Sequence, residues 1–163
     1  MSVTSHWRAS LIGTVCLIAI IAVFSFPAIP QDPAYHDFAD DRMMFGIPNF
    51  WNVVSNAAFL VVGIYGLLKL YKGKVPGVGL PYLVFCLGII LVSMGSAYYH
   101  LDPTPQSLVW DRLPMTLAFM AIFSMVVSDR VSEKLGARLL WPLVLVGVAS
   151  VTYWYWSEGQ GRG

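Results

Sequence analysis

Charge is scarce in this 163-residue chain: 12% of its residues are Asp, Glu, Lys or Arg, 57% are hydrophobic, and the mean hydropathy is +0.66. Soluble domains carry about 25% charged residues, so the scarcity excludes an ordinary water-soluble globule and points to an integral membrane protein. The charges that remain nearly cancel, to a formal +1, and are segregated into loops, which leaves no basic face for nucleic acid. Cysteine is as rare. Cys16 and Cys86 both lie inside apolar runs, where they read as small buried hydrophobes and form neither a disulfide nor a metal pair. Histidine occurs three times, at His6, His36 and His100. There is no internal repeat, low-complexity tract, domain linker or EF-hand pattern.

What is there is a series of apolar runs, which predicts an all-α polytopic transmembrane helix bundle of five spans in one membrane domain. Residues 11–26 are free of charge and follow a head containing Arg8; slightly short and closed by Pro27 and Pro30, they read as an uncleaved anchor or a signal-like helix. The second span is expected from Phe50 to Leu70 and the third from about Leu80 to Tyr99, with Pro81 in its first turn. A fourth starts near Asp111, with Pro114 in its first turn, and runs to about Ser128. After a charged loop over 129–138, a fifth covers about Leu139 to Trp156, with Pro142 near its start and Tyr153–Trp156 as an interfacial aromatic belt. Met115, Met120 and Met125 read as packing residues. Lys69, Lys72 and Lys74 make the most basic loop, which the positive-inside rule places in the cytoplasm. The alternation then puts the amino terminus inside, with the 31–49 connector and the loop after His100 outside, as in a bacterial-type cytoplasmic membrane.

Polar residues gather at one junction. Ser96 and His100 stand four apart, on one face of a helix and one turn apart, and the eleven-residue step to Asp111 permits a short loop and a return. A hydroxyl, an imidazole and a carboxylate at membrane depth are costly and mark a functional site; a single interfacial histidine, by contrast, is commonly a solvated headgroup contact. The trio offers one metal ligand, one carboxylate able to accept a proton from an activated water, and one hydroxyl able to donate to an oxyanion. His6 falls at the opposite face and His36 in the acidic connector, so only His100 is well placed for a metal, and a hydrolytic zinc site needs about three protein ligands. Asn52, Ser55 and Asn56 lie along one helix face, expected to hydrogen-bond between helices. The 31–49 connector carries Asp32, Asp37, Asp40 and Asp41. Asp37, Asp40 and the Asn49 amide suit a calcium ion, which takes about six to eight oxygens; a solvated acidic loop is the plainer alternative.

Four segments carry a family resemblance: Tyr35-His36-Asp37-Phe38-Ala39-Asp40, Asn49-Phe50-Trp51-Asn52-Val53-Val54-Ser55-Asn56, Gly95-Ser96-Ala97-Tyr98-Tyr99-His100 and Asp111-Arg112-Leu113-Pro114-Met115. Over about residues 35–128 the chain resembles the alkaline ceramidases, members of a larger group of seven-helix membrane hydrolases that includes adiponectin-receptor-like and GPI-remodelling proteins. The resemblance implies a zinc-dependent amidase that cleaves the N-acyl bond of ceramide-like sphingolipids. It implies His100 as a zinc ligand, Asp111 as the base acting on the zinc-bound water, and Ser96 as the oxyanion or water-positioning group. It also implies a calcium site in the region of Asp37, Asp40 and Asn49, although the spacing is shorter here and Phe38 stands where a tryptophan is usual.

The chain departs from the family in two places. Residues 11–26 look like an extra helix ahead of the seven, and the family's final helix, with its His-x-x-x-His pair of zinc ligands, has no counterpart. The expectation is therefore an N-terminal portion of the fold, the acidic segment 31–49 followed by four core helices over 50–156, whose competence alone is an open question. A non-catalytic receptor-like or lipid-binding membrane protein of the same fold, or a related lipid hydrolase, is the alternative reading.

Overall fold

The computed structural model describes residues 3–26, 29–75 and 79–161, and among them the chain is helical with no β-strand. Pro27, expected to close the first apolar run together with Pro30, lies outside the described residues, as does the side chain of His6. The helices are α1 (Val3–Ser25), α2 (Phe50–Ser55), α3 (Ala57–Tyr71), α4 (Gly79–Leu101), α5 (Pro105–Arg130) and α6 (Glu133–Gly159), with a 3₁₀ turn at Pro33–His36 in the connector. Four segments are long and apolar enough to cross a membrane: Phe50–Tyr71, which joins α2 to α3 through Asn56, then α4, α5 and α6. The protein is an all-α membrane helix bundle. The apolar part of α1 described here, Trp7–Val23, is shorter than a full span.

From α3 onward each helix packs on the next, α3 on α4, α4 on α5 and α5 on α6. Short connections between apolar helices make that antiparallel order the natural one. Val84, Ala121, Leu140 and Val144 form the core, with Phe85, Leu117 and Met120 against it, so Met120 is a packing residue as expected. Most large apolar side chains of α1 stay exposed. Its start is tied to the end of α5 by Arg8 Nη1, which donates to the Arg130 carbonyl at 3.0 Å.

Two helices begin earlier than the apolar pattern suggests. α5 starts at Pro105, because Thr104 and Ser107 cap each other: Ser107 N donates to Thr104 Oγ1 at 3.1 Å, and Thr104 N to Ser107 Oγ at 3.0 Å. A proline at the first helical position costs no hydrogen bond. Pro114 is consequently inside the helix and not in its first turn. α6 starts at Glu133, so Pro142 is likewise internal, and the charged loop expected over 129–138 shrinks to Val131 and Ser132 between helix ends. Hydropathy misplaced both starts because each helix opens on polar residues, Gln106 and Ser107 in α5 and Glu133 and Lys134 in α6.

Pro114 has no N–H to offer the Trp110 carbonyl, four residues back. α4 passes α5 at this point: a Cβ on Gly95 would overlap the Trp110 carbonyl, and one on Gly88 would lie 2.8 Å from the Ala118 nitrogen. Backbones this close require residues without a side chain. Gly95→Ala is expected to lower the thermal midpoint in detergent, at an overpacking cost of about 1–3 kcal/mol. Gly13→Ala, whose Cβ would meet nothing within 4 Å, should leave it unchanged.

Candidate functional site

The Gly95–Trp110 contact brings the next residue of each helix together. Ser96 is buried in α4 and Asp111 lies in α5, with the hydroxyl and the carboxylate close enough to interact. His100, one turn beyond Ser96, is within electrostatic reach of Asp111. Its Nδ1 is buried and has no hydrogen-bond partner. A buried polar atom left unsatisfied costs about 1–3 kcal/mol, so an orphaned imidazole nitrogen beside a carboxylate is a place to look for a ligand.

The connector folds back over the end of α4. Phe38 lies against the His100 ring at 4.6 Å between centroids and edge-on to Tyr99 at 5.6 Å. Asn49 Nδ2 donates to the His100 carbonyl at 2.8 Å. His36, set aside on sequence as belonging to the acidic loop, stands beside the site, its Nδ1 2.9 Å from the hydroxyl of buried Tyr99. The 3₁₀ turn at Pro33–His36, capped by Asp32 through Ala34 N at 2.9 Å, aims it there. The Asp32-Pro33 pair was the available signal, since an Asp before a Pro favours a capped turn.

Arg112 was also missed as a site residue. Its guanidinium sits 4.0 Å from the Trp154 ring centroid and 5.7 Å from that of Tyr35, and its Nη2 donates to Gln31 Oε1 at 2.6 Å. Gln31 N donates in turn to Glu158 Oε1 at 2.6 Å. Trp154 is thus turned inward beneath Arg112, while Tyr153, Tyr155 and Trp156 stay exposed as an aromatic belt should.

Asp37, Asp40 and Asn49 differ in their surroundings. Asp37 is exposed. Asp40 Oδ1 accepts from Arg42 Nε at 2.5 Å, Asp40 Oδ2 from Trp51 N at 3.0 Å, and the Asn49 amide is engaged with His100. Among the described residues no group of three His, Cys, Asp or Glu side chains is placed to hold a metal ion. Nor do Asn52, Ser55 and Asn56 bond across helices. Asn52 Nδ2 donates to the Asp40 carbonyl at 3.3 Å, while Ser55 Oγ and Asn56 Nδ2 donate to the Asn52 carbonyl at 3.1 and 2.7 Å. Small polar side chains in a helix reach their own preceding turn first.

The profile of the protein family described as Ceramidase matches residues 42–159, most of the chain. The chain belongs to the ceramidase family. No solved structure matches it. Family and fold together describe a membrane enzyme of the ceramide-hydrolysing kind, with a lipid substrate. The matched region contains Ser96, His100 and Asp111 and begins at Arg42, just after Asp37 and Asp40.

Burial alone would raise the Asp40 carboxyl, but the Arg42 side chain and the Trp51 N–H outweigh it and hold it below the usual 3.8. A depressed carboxylate contributes stability that is present above its unfolded pKa and lost as the pH falls through the folded value. The acid arm of the stability profile, below about pH 4, should therefore flatten in Asp40→Asn. Thermal midpoints of the two proteins between pH 3 and 7, converging at the acid end, check it.

Proposed function

We propose that the ceramidase-family chain is a zinc-dependent amidase, cleaving the N-acyl bond of ceramide-like sphingolipids at Ser96, His100 and Asp111. The observation that carries the reading is the buried, unpartnered Nδ1 of His100, a residue within electrostatic reach of Asp111. Of the about three protein ligands that a hydrolytic zinc site takes, the described residues place one here, the His100 imidazole. When bound, zinc supplies Lewis-acid activation of water and of the amide carbonyl.

The chain's own groups do the rest. Asp111 accepts the proton of the attacking water as the new C–O bond forms, then passes it to the amide nitrogen as the C–N bond breaks. A fatty acid and a sphingoid amine result. Ser96, beside Asp111, can steady the carboxylate and turn its hydroxyl to the developing oxyanion. An open groove of about 450 Å³ between α4 and α5, lined by Leu91, Met94, Gly95, Tyr98, Trp110 and Pro114 and by none of the trio, is apolar enough for a hydrocarbon tail. Asp40 already accepts from Arg42 Nε and Trp51 N, so its carboxylate is engaged within the chain.

Zinc determination and an amidase assay on the purified chain test the proposal. His100→Ala is expected to lose zinc and activity together. Asp111→Asn should keep the metal while turnover falls by about 10²- to 10⁴-fold, the usual contribution of a positioned proton acceptor. Near-normal turnover in Asp111→Asn with zinc bound would contradict the base assignment, and ceramide binding without turnover in the wild type would favour the receptor-like reading.

The charge distribution supports an orientation in a bacterial-type cytoplasmic membrane with the amino terminus and the lysine loop inside and the site outside. Arg8 and the end of α5 meet at one end of the bundle, while Gln31, Arg112 and Glu158 meet at the other. An impermeant thiol reagent applied to intact cells should label Ala34→Cys and spare Lys72→Cys. The converse pattern would invert the topology.

A further inference from the structure

The turn of chain between the connector and α2 uses its side chains in an unexpected order. Asn49, at the residue that opens α2, has left-handed backbone (φ 47°, ψ 44°) and makes no side-chain cap on its own helix. The capping is done from further back. Asp40 Oδ2 accepts the Trp51 N–H, the Asp40 carbonyl accepts from Asn52 Nδ2, and the Arg42 carbonyl accepts from Phe50 N at 3.1 Å. Arg42 Nε closes the loop on Asp40 Oδ1.

Relieved of capping, Asn49 reaches across to α4 and donates to the His100 carbonyl. That carbonyl is in the last turn of α4, where the carbonyls have no partner inside the helix. Holding it fixes the last turn, and with it the direction of the imidazole that carries the unpartnered Nδ1.

We propose that Asn49 is a positioning residue for His100, and that Arg42, by clipping Asp40, holds Asn49 in place within the chain so that this docking needs no calcium. A cation is what two acidic oxygens near a helix start call for, and here the guanidinium supplies it. The importance attached to His100 rests on the hydrolase reading; the clip itself does not.

Amide hydrogen exchange on the full chain in detergent, with either EGTA or millimolar calcium chloride, tests the clip. Segments 36–52 and 96–102 should exchange at the same rates in both conditions in the wild type. Arg42→Gln should speed both segments without changing α6, Arg42→Lys should restore part of the protection, and Asn49→Ala should speed 96–102 more than 36–52. For positioning, Asn49→Ala should cut kcat on the order of 10²-fold with KM within about twofold, at a thermal midpoint close to wild type. Asn49→Gln, which keeps the amide, should recover part of kcat. Calcium-dependent protection of 36–52 in the wild type would overturn the calcium-free clip, and wild-type kcat in Asn49→Ala would overturn the positioning role. The exchange arm needs neither zinc nor substrate, so an inactive protein with the expected exchange pattern would sink the hydrolase reading alone.

Discussion

The site depends on how closely two backbones pass. Gly95 lies against the Trp110 carbonyl, and each is followed at once by a residue of the trio, Ser96 on α4 and Asp111 on α5. With any side chain at position 95 the helices would stand further apart, and a hydroxyl as short as serine's would no longer reach the carboxylate. Pro114 belongs to the same arrangement, because it leaves the Trp110 carbonyl without its ordinary helical donor where α4 comes nearest. In a bilayer, where apolar side chains gain little by leaving lipid, close backbone packing is the main means of holding helices in one register. The same small-residue seam that stabilises the bundle therefore sets the distance between Ser96 and Asp111.

The connector does for the imidazole what the seam does for the carboxylate. It is fastened to the ends of α4, α5 and α6 by polar contacts of different kinds. Gln31 reaches Arg112 and Glu158, His36 reaches Tyr99, and Asn49 reaches the His100 carbonyl. Phe38 then covers the face of His100. A polar segment wrapped over the mouth of a bundle excludes water from one side of the site, and electrostatic interactions there strengthen accordingly.

Much of this was legible in the residues, for reasons that also mark the limit. The four full-length spans follow from hydropathy, and the convergence of Ser96, His100 and Asp111 follows from helical spacing and a short return, both of which are local properties. What depends on tertiary contact was not legible. His36 sits on sequence among aspartates, and only the fold-back of the connector brings it to Tyr99. Arg112 looks like an ordinary loop-side charge until Trp154, more than forty residues on, is found beneath it. Asp40 reads on sequence as a metal ligand, and its contacts with Arg42 and Trp51 appear only in the fold. The early starts of α5 and α6 are a different case: the Thr104-Pro105-Gln106-Ser107 cap is a local signal, outweighed by the search for apolar runs.

The central claim is that His100 holds a metal beside Asp111. Its most direct test is a crystal of the zinc-loaded protein measured on both sides of the zinc absorption edge. The account predicts an anomalous peak at coordinating distance from a ring nitrogen of His100, on the side that faces Asp111. A zinc-loaded crystal with no peak at His100, or with its peak at the Asp37–Asp40 segment instead, would contradict it.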